Sequence, residues 1–115
     1  MKCRQMDIIY NMFSEISPRQ AVIAVDILRI LFNQRKRGMS IVEINYYFKN
    51  RYIHSVGSAI RWLRDRGYVS QLNSGFEARY TITLSGVKKH WEIWDKIRRR
   101  LYSYDSSPCS YRAIY

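Results

Sequence analysis

With 115 residues, 47% of them hydrophobic, the chain is sized for one domain with a small core and an arm or tail, not for two domains. Its 20 Lys and Arg against 9 Asp and Glu leave a formal net charge of +11, which points to a polyanionic partner, nucleic acid before an anionic membrane surface. No apolar run approaches the roughly 20 residues that cross a bilayer, and the opening stretch, with Asp7, Glu15 and no long apolar region, does not read as a signal peptide.

Residues 5–16 place Met6, Ile9, Met12, Phe13 and Ile16 at helical spacing, which predicts a short amphipathic helix. Ser17 as N-cap and Pro18 at the first helical position start a second helix that runs to about Arg35. Its buried stripe is Val22, Val25, Leu28, Leu31 and Phe32, and "NQRKRG" ends it with a basic last turn and a Gly stop. Ser40 and Glu43 form a capping box ahead of Ile41, Ile44 and Phe48, in a short helix ending near Lys49. A basic turn, "KNRYI", leads into "HSVGSAIRWLRDRG". There Val56, Ala59, Ile60 and Leu63 face inward, while His54, Ser55, Gly57, Ser58, Arg61 and Trp62 lie nearer the outside. Gly57 is a poor helix former that lets another surface approach closely.

Gly67 breaks that helix. Two β-like runs follow, residues 68–72 and 78–84, joined by "NSGFE" into a two-stranded ribbon in which Tyr80, Ile82 and Leu84 alternate with Arg79, Thr81 and Thr83. Ser85 is the expected cap of a last helix over residues 86–102. Val87, Trp91, Trp94, Ile97 and Leu101 form its apolar stripe, and Lys88, Lys89, Lys96 and residues 98–100 much of the rest. The final stretch, "SYDSSPCSYRAIY", is polar, Tyr-rich and aperiodic, a tail that orders only when held. Cys3 and Cys109 stand near opposite ends with no metal-ligand spacing. They read as reduced thiols of an intracellular, cytoplasmic protein.

A short capped helix, a tight turn and a second helix make a helix-turn-helix, and the ribbon directly after it adds a wing. The expected fold class is therefore mainly α (α+β). The expected organisation is an N-terminal helical arm over 1–17, a winged helix-turn-helix over 18–86, a C-terminal helix over 87–102 and a tail over 103–115. The helix over 55–66 is narrow enough for the major groove of DNA, about 12 Å wide, and the ribbon over 68–84 reaches sideways to neighbouring phosphates or the minor groove.

The stretch "SIVEINYYF…HSVGSAIRWLRDRGYV…ARYTITLSG" resembles the winged-helix core of MarR/PadR-type bacterial and archaeal transcriptional regulators. In that family the recognition helix leaves through "Leu-x-x-(Arg/Lys)-Gly-(Leu/Tyr)-(Ile/Val)", matched here by Leu63, Arg66, Gly67, Tyr68 and Val69. The wing returns through "Tyr-x-(Ile/Leu)-Thr-x-x-Gly", matched by Tyr80, Ile82, Thr83 and Gly86. The likeness spans residues 19–86. The tip departs from it: the family's wing often carries an Asp-x-Arg pair, and "NSGFEAR" keeps Arg79 without the Asp. The resemblance implies a homodimer on double-stranded DNA, of prokaryotic or viral origin, with no membrane partner.

His54, Ser55, Ser58 and Arg61 are the candidates to reach base edges. Arg61 either pairs bidentately with guanine or touches only phosphate. Trp62 stacks on the preceding helix, lies at a partner interface, or packs on sugar. Lys49, Arg51, Arg64 and Ser40, with the amides that open its helix, are the candidate phosphate clamps. Arg64 or Arg66 can instead pair with Asp65 or Glu43. Of Tyr46 and Tyr47 one must face outward. Asn73, Ser74 and Arg79 are the wing candidates. Met6, Ile9, Phe13, Trp91, Trp94 and Leu101 suggest a dimer interface of terminal helices, as in the resembled family; the alternative is that the tryptophans cap the monomer's own core.

Nothing in the sequence argues for an enzyme, cofactor or metal. His54 and His90 are far apart, and no HExxH, CxxC or Gly-rich phosphate loop occurs. Three functions remain open: a sequence-specific regulator, a replication, excision or architectural DNA-binding protein of a virus, plasmid or mobile element, and a winged-helix protein-interaction module.

Overall fold

A computed structural model of the chain describes residue 13, residues 15–75 and residues 78–103. The expected first helix falls largely outside the described residues, as do both cysteines and the tail. Helix α1 spans Pro18–Asn33, capped as expected: the Ser17 hydroxyl accepts from the Gln20 amide at 3.3 Å. It is not buried along one stripe. Residues 21–28, Ile30 and Leu31 are all buried, because the second helix of the helix-turn-helix packs on one side and the last helix and a strand pack on others. A helix apolar all round is a central one.

Strand β1 is Met39–Ser40, α2 is Ile41–Tyr47 and α3 is Ile53–Asp65; β2 is Val69–Leu72, β3 is Arg79–Ile82 and α4 is Leu84–Ser103. The sheet has three antiparallel strands in the order β1-β3-β2, with Met39 opposite Tyr80 and Val69 opposite Ile82. The expected two-stranded ribbon thus gains a third, two-residue strand. Gly38 admits it. With φ +73° it takes a left-handed turn, and a Cβ there would lie 2.9 Å from the Tyr80 carbonyl oxygen.

The capping box forms: Glu43 N–H donates to the Ser40 hydroxyl at 3.2 Å, and Ser40 N–H to Glu43 Oε1 at 3.0 Å. The start of α4 differs from expectation by two residues. Thr83, not Ser85, is the cap; its hydroxyl accepts from the Gly86 amide at 3.0 Å and donates to the Gly67 carbonyl at 2.6 Å. Leu84, expected on the strand's apolar side, is 73% exposed in the helix's first turn. The core gathers Ile27, Leu28 and Leu31 of α1, Ile44, Val56, Leu63 and Val69, and Ile93 and Ile97 of α4. Burial of that set outweighs the weak local preferences of such short elements.

Candidate nucleic-acid interface

Helix α3 buries Val56, Ala59, Ile60 and Leu63, and that spacing fixes what it shows to solvent. His54, Ser58 and Arg61 are exposed, and Ser55 is half-buried. Gly57 sits between them, and a Cβ built there meets nothing within 4 Å. Its N-cap, Tyr52, makes no side-chain cap, so the helix opens with first-turn amides that no side chain satisfies. A polar face, an open stretch of backbone and a helix N-terminus therefore lie together, an arrangement suited to an anionic surface.

A groove of about 490 Å³ separates this face from the wing, with Arg61, Arg64, Gln71 and Tyr80 among its lining residues. Asn45 also lines it, and its Oδ1 is buried without a hydrogen-bond partner among the described residues. Arg64 Nη1 donates to Gln71 Oε1 at 2.8 Å, and Gln71 Nε2 to the Asn73 carbonyl at 3.1 Å. The end of α3 is thus linked to the turn of the wing. Asn73 takes a left-handed φ of 63° at that turn, and it and Ser74 are exposed.

Arg79 is placed differently from the other two wing candidates. It stands at the base of β3, where its guanidinium donates to the Gly38 carbonyl at 2.9 Å and the Arg37 carbonyl at 3.3 Å and pairs with Glu43 at 3.0 Å. It fastens the sheet to the α1–α2 connection, and Glu43 finds its cation there rather than in Arg64 or Arg66. The Ser40 amide, more than Arg79, holds the Glu43 carboxyl below its ordinary range, against an opposing push from burial. Arg64 lies 3.8 Å from Asp65, and Arg66 pairs with Glu15. Ser40, half-buried, spends its hydroxyl on the cap; Lys49 and Arg51 are exposed in the turn.

Tyr46 and Tyr47 both face outward, at 76% and 46% exposure. The short α2 buries only Ile44, so neither ring has a core to enter. Trp62 packs within the chain, edge-on to Phe13 at 5.0 Å and tilted against Tyr68 at 6.4 Å. Phe13, expected at a dimer interface, is therefore buried in the chain's own core at 2% exposure. Trp94 is partly buried against that core, while Trp91 remains 51% exposed. Met6 and Ile9 lie outside the described residues, as does the Leu101 side chain. His90 is buried, stacked on Phe32 at 4.5 Å; burial first, then the charge of Arg29, pushes its pKa down.

Sequence reasoning passed over Asp26, which is 2% exposed and paired with Arg29 at 3.0 Å. A signal existed: an acid inside the apolar run "AVIAVDILRILF" with an arginine three residues on.

No protein-family model matches the sequence, and neither does any curated protein. Solved structures do match. A MarR family protein from Bacillus stearothermophilus aligns with a TM-score of 0.62 at 16% identity, over 96% of this chain and 73% of that one. A selenomethionine derivative of a MepR mutant from a multidrug-resistant S. aureus clinical isolate aligns with a TM-score of 0.58 at 17% identity, over 96% of this chain and 76% of that one. The chain has the winged helix-turn-helix fold of these structures.

Proposed function

We propose that the protein is a transcriptional regulator that binds double-stranded DNA sequence-specifically as a homodimer. In this reading α3 enters the major groove and the wing lies on the adjacent backbone or minor groove. The outward face of α3 carries the reading: His54, Ser58 and Arg61 exposed around the open backbone of Gly57, on a chain of net charge +11. Arg61 makes no hydrogen bond or ion pair with any described residue, so its fork is available for a guanine edge. Lys49, Arg51 and Arg64 flank it as phosphate contacts, which set register without reading sequence. The likeness to a MarR family structure supports the same assignment. Trp91, exposed on α4, supports pairing through the terminal helices. A two-fold dimer would set two recognition helices about 34 Å apart.

The test is selection of bound duplexes from a random pool at about 150 mM salt, where purely electrostatic binding is suppressed. Enrichment of an inverted repeat with half-sites one turn apart is the expected result. Binding without enrichment, vanishing as salt rises, would refute the base-reading role, and absence of binding at any salt would refute DNA as the partner.

A further inference from the structure

Beside the turn between α2 and α3 lies a second cavity, of about 350 Å³, lined by Asp26, Arg29, Tyr47, Lys49, Arg51 and Tyr52 among others. Its floor is ionic. Arg29 Nε and Nη2 both donate to Asp26 Oδ1, at 3.2 and 3.0 Å, and Nη2 donates again to the Tyr47 hydroxyl at 2.6 Å. The carboxylate is buried, so breaking the pair would strand a charge, and the guanidinium is held in one place. Two consequences follow from the donor inventory. The Tyr47 oxygen already accepts, so its own proton points elsewhere, on a side chain 46% exposed. The Nη1 amino group of Arg29 makes no hydrogen bond with any described residue, leaving two further N–H donors.

The rim is cationic and its backbone is unusual. Lys49 and Asn50 have φ of 56° and 57°, two consecutive left-handed residues that are not glycine. Such residues are strained, Asn less than Lys, and cluster where function needs them. The turn's amides are consumed internally: Lys49 N–H by Tyr46, Asn50 N–H by Asn45 and Arg51 N–H by Phe48. What the turn presents is therefore side chains. Lys49 and Arg51 are exposed and form no ion pair with any described residue. Three cations thus surround one cavity against a single carboxylate that Arg29 already engages.

We propose that Arg29, Tyr47, Lys49 and Arg51 form a preformed binding site for a phosphate group, with Asp26 as its positioning residue. The inference rests on the DNA-binding reading, in which that phosphate belongs to the backbone beside the N-terminus of α3. A free phosphate would meet the same donors.

The experiment has two arms on the full chain. In the first, wild type, Tyr47→Phe and Lys49→Gln are titrated with the selected duplex and with a random duplex across a salt series. Tyr47→Phe keeps the ring and removes the hydroxyl, both the donor to phosphate and the acceptor of Arg29 Nη2. It should weaken both duplexes alike, on the order of tenfold, because a phosphate contact carries no sequence information. Lys49→Gln should lower the slope of log affinity against log salt by about 0.9. In the second arm, inorganic phosphate is titrated while arginine side-chain and tyrosine ring resonances are followed by NMR, with acetate as control. Shifts at Arg29 and Tyr47 with phosphate and not acetate are expected. Those shifts in a protein that binds no duplex would keep the site, assign it to free phosphate and reject the DNA reading. Equal shifts with acetate would overturn the phosphate assignment. Unchanged duplex affinity in both variants, with no phosphate shifts, would overturn the site.

Discussion

Replacing Gly86 with alanine should unfold the protein far more readily than its small size change suggests. Gly86 lies in the first turn of α4, and its Cβ would fall 2.1 Å from the Tyr68 carbonyl oxygen and 2.7 Å from Ile82 Cγ1. The oxygen cannot retreat freely, since it accepts from Thr83 N–H at 3.0 Å. Contacts of a real Cβ stop near 3.0 Å, so α4 and Tyr68 must part by about 1 Å. That movement strains the Thr83 bonds to Tyr68 and Gly67, which join the wing's two ends to the helix. Overpacking costs about 1–3 kcal/mol and a lost hydrogen bond about 0.5–1.5; alanine's helix propensity returns up to about 1. The net loss is roughly 1–3 kcal/mol, or on the order of 5–15 °C in Tm for a domain of this size. Gly57→Ala is the internal control. Its Cβ meets nothing within 4 Å, so the substitution should stabilise by about 0.5–1 kcal/mol. Thermal unfolding followed by circular dichroism measures both. A Gly86→Ala loss below about 1 kcal/mol, or glycines that respond alike, would refute the packing argument.

The pH dependence of stability offers two further checks. Glu43, whose pKa is lowered chiefly by the Ser40 amide, stabilises the fold above the ordinary carboxylate range. That contribution is lost as pH falls through its depressed folded value, so Glu43→Gln should lower stability at neutral pH and flatten the acid limb of a urea-unfolding series. His90 is held neutral by burial, so the unfolded chain takes up the proton first. Its contribution is full above pH 6.5 and declines as pH falls toward the lowered folded value; His90→Phe, which keeps a ring against Phe32, should remove that decline. Arg61→Ala should cost about 1–3 kcal/mol at a selected site and little on random DNA, measured by fluorescence anisotropy; equal losses on both would leave Arg61 a phosphate contact.

The elements the sequence announced are those whose signals are local. The Ser40–Glu43 box and the Ser17–Pro18 start need only their own turn to form, and the stripe of Val56, Ala59, Ile60 and Leu63 follows from helical period alone. The missed features depend on partners distant in sequence. A two-residue strand at Met39–Ser40 has no periodicity to read; it exists because Gly38 lets it approach Tyr80, some forty residues on. Thr83 outcompeted Ser85 as a cap because its hydroxyl also reaches Gly67, a contact set by the wing's return. For α1 the sequence predicts a single buried stripe, Val22, Val25, Leu28, Leu31 and Phe32, because helical period by itself defines one face. Packing on several sides buries Asp26 all the same, since Arg29 compensates its charge.

Arg79 shows where site prediction from residue type reaches its limit. By charge and position in the wing it was a candidate DNA contact, the Arg of the resembled family's Asp-x-Arg pair kept without its Asp. In the fold, two backbone carbonyls and Glu43 engage its guanidinium, and a bound phosphate would have to compete with all three. Arg61 faces no such competition among the described residues. Two arginines that composition counts alike therefore serve different ends: one holds β1, β3 and the start of α2 together, and the other stands ready for a partner. A net charge of +11 favours a polyanionic partner, and the hydrogen bonds the fold has already made decide which cations remain open to one.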